Sequence, residues 1–178
     1  MIEYNIEKVD YSKVDEVISN ELLEQHLIIS DASPELLDLY KSAAIEQFSR
    51  ETNRALLPTE IIVTSSSYNS FKMPYGTLEI LEVYDANDQP FTDYKFSRIG
   101  DRFTINGSPN CPLVIRARCG FDPIPGNVKL AIAMMVATRF ESRESVAFGT
   151  IAVEVPLSQR HLLAQFRLPN YSTGKGMN

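Results

Sequence analysis

The stretch GFDPIPGNVKLAIAMMVATRFESRESV, Gly120 to Val146, decides how the rest of the chain is read. An aromatic-bearing turn, Gly120-Phe121-Asp122, follows a β-branched run, and Pro125 presets the backbone for a first helical turn. Positions 130–137 then read Leu-Ala-Ile-Ala-Met-Met-Val-Ala. A surface helix carries one apolar stripe, whereas a helix that is apolar all round has to be covered on both sides. In a chain of 178 residues this predicts a cover supplied by something besides the fold itself. The chemistry then lies in assembly rather than in a catalytic centre.

Upstream of that helix, from Thr59 to Cys119, the pattern is of strands. EIIVTSSSY, TLEILEVYDA, TDYKFS, RFTI and PLVIRARC are short and rich in β-branched and aromatic residues. Pro74-Tyr75-Gly76, Asn87-Asp88, Gly100-Asp101 and Asn106-Gly107-Ser108-Pro109 separate them as turns. They predict a small antiparallel sheet of four to six strands, with a hairpin at Asn106-Gly107. Further upstream, Ser33-Pro34-Glu35 has the cap, the proline and the acid that open a helix. That helix is expected to run to about Arg54, with Leu36, Leu37, Tyr40, Ala43, Ala44 and Phe48 on one face. Ser19 caps a shorter helix, NELLEQHL, and residues 1–18 read as a loosely tied arm with some extended structure.

Downstream, VAFGTIAVE (146–154) reads as a connector, Pro156 opens a last short helix, and RLPNYSTGKGMN is expected to fray. The fold class is therefore α+β. The expected arrangement is a bundle of about four helices with a small antiparallel sheet inserted between the second and third main helices. One domain, 1–178, is expected, with a helical frame at about 17–57, 125–145 and 156–168, a β insert at about 59–120, and a flexible tail at 169–178.

Composition fits a globular domain: 44% of the residues are hydrophobic, 10% aromatic and 22% charged. The longest apolar run, eight residues, falls far short of the ~20 that a membrane span needs. MIEYNIEKVDYSKVDE has neither a basic n-region nor an apolar h-region. The expectation is a protein made in the cytoplasm and kept there, or carried in an assembly built there. Cys111 and Cys119 bracket PLVIRAR; as a strand that run holds the two sulfurs on the order of 25 Å apart, too far for a disulfide. Both are read as small apolar residues. The net charge of −6 is uneven. Residues 1–60 hold 13 acids and 5 bases, and residues 61–178 hold 10 and 12. Such asymmetry suits either a solvated acidic surface or complementary contacts between copies.

Reactive groups are sparse. His26 and His161 are the two histidines, and neither has metal-ligand spacing to a Cys, Asp or Glu. No phosphate-cradling glycine loop and no nucleophile elbow is present. The acid pairs Asp15-Glu16 and Glu82/Asp85 read as solvated faces. No cofactor, metal or catalytic residue is expected. Arg139 and Arg143 are four apart at the end of the apolar helix, on the face of Val128, Ile132 and Met135. They call for carboxylate partners, either Glu141 or Glu144 within the fold or a group across a subunit contact.

Four stretches together resemble the head–tail connector, or adaptor, proteins of long-tailed bacteriophages and related gene-transfer particles. They are LLEQHLIIS with LLDLYKSAAIEQFSRETNRAL, then MPYGTLEILEVYDANDQPF, then GFDPIPGNVKLAIAMMVATRFESRE with its Phe140-x-x-Arg143 ending, and last VPLSQRHLLAQFR. The resemblance spans about residues 17–168. It implies a non-enzymatic virion protein at the head–tail junction, forming a ring of about twelve copies beneath the portal. DNA passes through the lumen without specific binding, and stopper or tail-completion proteins attach below. The candidates for subunit or portal contact are Ala133, Met134, Arg139, Arg143, Arg160, Leu163, Phe166, Arg167 and Tyr171. A head-completion stopper, a tail terminator or a small ligand-binding or enzymatic domain are the alternative readings.

Overall fold

The computed structural model describes residues 2–27, 33–67, 69–147, 157–169 and 172–173, with 142–147, 157–160 and 172–173 described by their backbone. The chain forms two compact units. The sheet unit comprises residues 1–10, 53–122 and 168–178, and the helical unit comprises 11–52 and 123–167. The class is α+β, with five α-helices and mainly antiparallel sheets among the described residues.

The sheet unit holds β1 (Ile2–Val9), β2 (Thr59–Ser65), β3 (Phe71–Lys72), β4 (Thr77–Tyr84), β5 (Tyr94–Ser97), β6 (Arg102–Ile105), β7 (Leu113–Cys119) and β8 (Ser172–Thr173). One sheet runs in the order β4-β7-β2-β1-β8 and the other in the order β3-β6-β5. At its centre β2 and β7 pair antiparallel from Thr59↔Cys119 to Ser65↔Leu113 without a slip. Period-two alternation puts Ile61, Val63, Ile115 and Ala117 in the core, and Glu60, Arg116 and Arg118 on the other face. The core continues into the second sheet, where Phe103 lies 5.3 Å from Phe71 and stacks on Tyr94 at 4.9 Å.

The helical unit opens with a 3₁₀ turn (Tyr11–Lys13) and holds α1 (Val14–Val17), α2 (Asn20–Leu27), α3 (Pro34–Thr52), α4 (Gly126–Ala147) and α5 (Leu157–Ala164). Ser19 caps α2 by accepting from the Leu22 N–H at 3.3 Å. Pro34 is the first residue of α3, as the sequence signals. Leu23, Leu37, Ala44, Phe48, Val128, Ile132, Met135 and Leu163 are buried in this unit. Tyr40 meets Phe140 edge-on at 6.3 Å, and Phe48 meets Phe166 at 6.2 Å.

Three local expectations are corrected. The extended structure expected in the N-terminal arm is present at residues 2–9, but it is a strand paired along its length with β2 rather than loosely tied. Ser172-Thr173, in the expected tail, pairs parallel with β1. The hairpin of the second sheet turns at Gly100-Asp101, where both residues take positive φ, and not at Asn106-Gly107. The Asn106 and Gly107 N–H groups donate instead to the Asp93 carbonyl, on the way to β7. The connector at 148–154 and most of the tail lie outside the described residues.

The turn before β4 is closely fitted. Gly76 sits at φ +72°, and a Cβ there would lie 3.0 Å from Arg54 Cγ. Arg54 in turn lies over the Phe121 ring at 5.0 Å. Gly76→Ala is expected to destabilise by about 1–2 kcal/mol through the left-handed backbone and the Arg54 contact. Urea unfolding would show it as a lower midpoint with an unchanged slope.

Candidate assembly surfaces

The helix α4 has two different sides. Val128, Ala131, Ile132, Met135 and Val136 recur at helical spacing and are buried. Leu130, Met134, Ala137 and Glu141 form another stripe, on which Leu130 is 46% exposed and Met134 and Ala137 are half-buried. The fold thus covers one side of the apolar helix and leaves an apolar stripe on the other partly open to water.

Two cations are held inside the helical unit. Lys41 is 0% exposed, and its Nζ lies 2.5 Å from Asp15 Oδ1 and 3.0 Å from Asp38 Oδ1. Asp38 also accepts from Asn20 Nδ2 at 3.1 Å. Its hydrogen bonds from Lys41 and then Asn20 hold its carboxyl below the ordinary value. Asp15 is exposed, as a solvated acid should be, but it also pairs with Lys41, which the sequence does not single out. The available signal was a lysine at the centre of the stripe Leu37, Lys41, Ala44, Ile45, Phe48, all of which are buried. Arg139 is half-buried and donates to the Met135 carbonyl at 3.0 Å, the Ala43 carbonyl at 3.5 Å and the Gln47 amide oxygen. Burial draws its pKa down, against the opposing charge of Glu51. Carbonyl and amide oxygens, rather than Glu141, receive its hydrogen bonds.

The other candidates are dispersed. Ala133 and Leu163 are core positions, Met134 and Phe166 are half-buried, and Arg167 is exposed. The side chains of Arg143 and Arg160, and the whole of Tyr171, lie outside the described residues.

On the outer face of the five-stranded sheet, Arg116 pairs with Glu7 at 2.7 Å and Glu82 at 3.3 Å, and Arg118 pairs with Glu79. These carboxylates, Glu7 first, raise the Arg116 pKa. Exposed pairs of this kind add little stability each. Both cysteines are free. Burial pushes the Cys119 thiol up to about 12, with Thr77 Oγ1 at 3.6 Å. Such a thiol is inert at neutral pH. Among the described residues no group of His, Cys, Asp and Glu is placed to hold a metal, and no helix is long and apolar enough to cross a membrane.

A chain in the neck of an empty gene transfer agent particle, computed with C6 symmetry, superposes with a TM-score of 0.71 at 17% identity, covering 97% of this chain and 99% of that one. The chain shares the fold of a gene transfer agent neck protein. A chain of the native gene transfer agent virion gives a TM-score of 0.68 at 18% identity, over 97% and 99% of the two chains. A neck chain of the native particle, computed with C12 symmetry, gives 0.68 at 16%, over 97% and 100%. No family model and no curated protein matches the sequence. The shared fold fits the head–tail connector resemblance, which includes gene-transfer particles.

The Lys41 cluster generates an asymmetric expectation. Lys41→Met removes a buried charge and leaves two carboxylates that water can reach, so stability should stay within about 1 kcal/mol. Asp15→Ala with Asp38→Ala strands the buried ammonium and should lose about 3 kcal/mol. Because the Asp38 pKa lies below its ordinary 3.8 in the fold, its contribution is full above that value and is lost as pH falls through the folded-state pKa. Urea unfolding from pH 7 to pH 3 should show Asp38→Asn converging on the unsubstituted protein only below pH 4.

Proposed function

We propose that this chain is a non-enzymatic virion protein, a head–tail connector that forms a ring of about twelve copies beneath a portal. DNA passes through the lumen without specific binding, and a stopper or tail-completion protein attaches below. The observation that carries the reading is the end-to-end match: 97% of this chain is covered by 99–100% of chains from neck structures computed with C6 and C12 symmetry. A fragment match would indicate a shared motif; a match over both full lengths indicates the same architecture.

The half-open stripe of α4 supports it. Leu130, Met134 and Ala137 give a second copy or a portal an apolar surface bounded by Glu141. A ring needs a heterologous interface, two different faces on each copy. On this reading 1–178 acts as one connector protomer. Met134, Arg139, Arg143, Arg160, Phe166, Arg167 and Tyr171 stand as contact candidates, whereas Ala133 and Leu163 support them from the core.

Native mass by light scattering, with and without a portal ring from the same genome, tests the proposal. A closed multimer near twelve copies, or stoichiometric capture by the portal, is expected. A monomer at every concentration that also ignores the portal would overturn it. Met134→Glu should weaken the multimer at least tenfold while leaving the melting temperature within about 3 °C, because the position is half-open. Ala133→Glu, at a buried position, should lose the fold itself.

A further inference from the structure

The three-stranded sheet has one apolar face and one basic face. The register pairs Lys72 with Arg102 and Lys95 with Thr104, and alternation places these on the side opposite Phe71, Phe96 and Phe103. Lys72, Lys95, Arg98 and Arg102 are all exposed, and among the described residues none of them is in an ion pair. Asp101, half-buried at the hairpin, has its pKa raised by burial, against the opposing charges of Arg54 and Lys72. At the tip, Ile99 is 91% exposed, next to a cavity of about 350 Å³ lined by Phe71, Lys72, Gly100 and Arg102.

The helical unit carries the opposite pattern. Glu35, Leu39 and Glu46 follow one another at helical spacing on α3 and are all exposed. On α2, exposed Leu22 stands beside exposed Glu21. Residues 11–52 hold nine acids against three bases, one of which is the buried Lys41.

We propose that the basic hairpin face of one copy, with Ile99 at its tip, docks on the acidic face of α3 in a second copy, where Leu39 lies between Glu35 and Glu46. This rests on the ring reading above and supplies the two unlike faces which that reading requires. Charge complementarity selects the occupant: cations with an exposed apolar residue beside them meet carboxylates flanking an exposed apolar residue, and complementary charge with an apolar contact is what a protein partner uses. A phosphate backbone would use the cations and have no use for Ile99.

The test mixes chains carrying Ile99→Cys with chains carrying Leu39→Cys, both in a Cys111→Ser background, under mild oxidation. A covalent dimer of one chain of each kind is expected, in at least tenfold excess over either variant oxidised alone. Equal yields would overturn the pairing. In parallel, Lys72→Glu with Arg102→Glu, and Glu35→Lys with Glu46→Lys, should each raise the concentration for half-dissociation of the multimer at least tenfold, with melting curves checked for folding. A variant that does not fold is replaced by the corresponding Gln substitutions. Intact multimers under every such change would sink the pairing and leave the ring standing. If the unsubstituted chain forms no multimer, alone or on a portal ring, both readings fail together. If the basic changes abolish retention of a short DNA duplex and leave multimers unaltered, the face serves nucleic acid and the pairing is wrong.

Discussion

The unslipped ladder between β2 and β7 is the constraint on which the sheet unit depends. Its seven pairs, Thr59↔Cys119 through Ser65↔Leu113, decide which side chains face the core. A slip of one residue would turn Ile61, Val63 and Ile115 outward and bring Glu60, Arg116 or Arg118 in. Each of those charges is costly to bury without a partner. The irregularities fall where they do no such damage. The shift in β1 lies between Ile6 and Lys8, and those in β4 lie at Thr77/Glu79 and Ile80/Glu82. Both strands flank the central pair, so a bulge bends an outer strand without moving the register inside.

What the sequence made legible was local. EIIVTS and PLVIRAR are short runs rich in β-branched residues, and in the sheet their burial alternates residue by residue, so local propensity and environment point the same way. Ser19 and Ser33-Pro34 mark helix starts through side chains that act within one turn. The missed features are non-local. IEYNIEKV has too many charges to announce a strand, and becomes one because β2 offers a free edge. Asn106-Gly107 is a favourable hairpin step, but the strands that would meet across it are not partners. Gly100-Asp101 takes the left-handed turn between the strands that are. For the candidate surfaces, the sequence identified an over-apolar helix but not which stripe stays open, because that depends on where α3 and α5 pack.

Lys41 and Arg139 illustrate two ways to keep a cation inside a small helical unit. Lys41 has its stem among buried residues and its ammonium between two carboxylates whose other sides face water. Arg139 has planar donors, and it spreads them over two carbonyls and an amide. Both solutions draw their partners from within the helical unit, and neither leaves a charge directed at the exposed stripe of α4. That stripe therefore stays apolar at Leu130, Met134 and Ala137, with the first charge only at Glu141. An arginine pair pointing outward at this site would have made the stripe a polar surface instead.

The charge distribution then has one economical explanation. Glu21, Glu35, Asp38 and Glu46 are exposed on α2 and α3, and Lys72, Lys95, Arg98 and Arg102, exposed and in no ion pair among the described residues, lie in or beside the second sheet. A chain with a net charge of −6 attracts phosphate only where its few free cations are presented. If copies cover those cations with each other's acids, the same contact that closes a ring removes some of the residues able to neutralise phosphates. Affinity for a duplex scales with the number of phosphates neutralised, so a surface with fewer free cations holds a duplex less tightly. On the proposed pairing, adhesion between copies and a weaker hold on DNA would both follow from the cations of the second sheet, of which Lys72, Lys95 and Arg102 share one face.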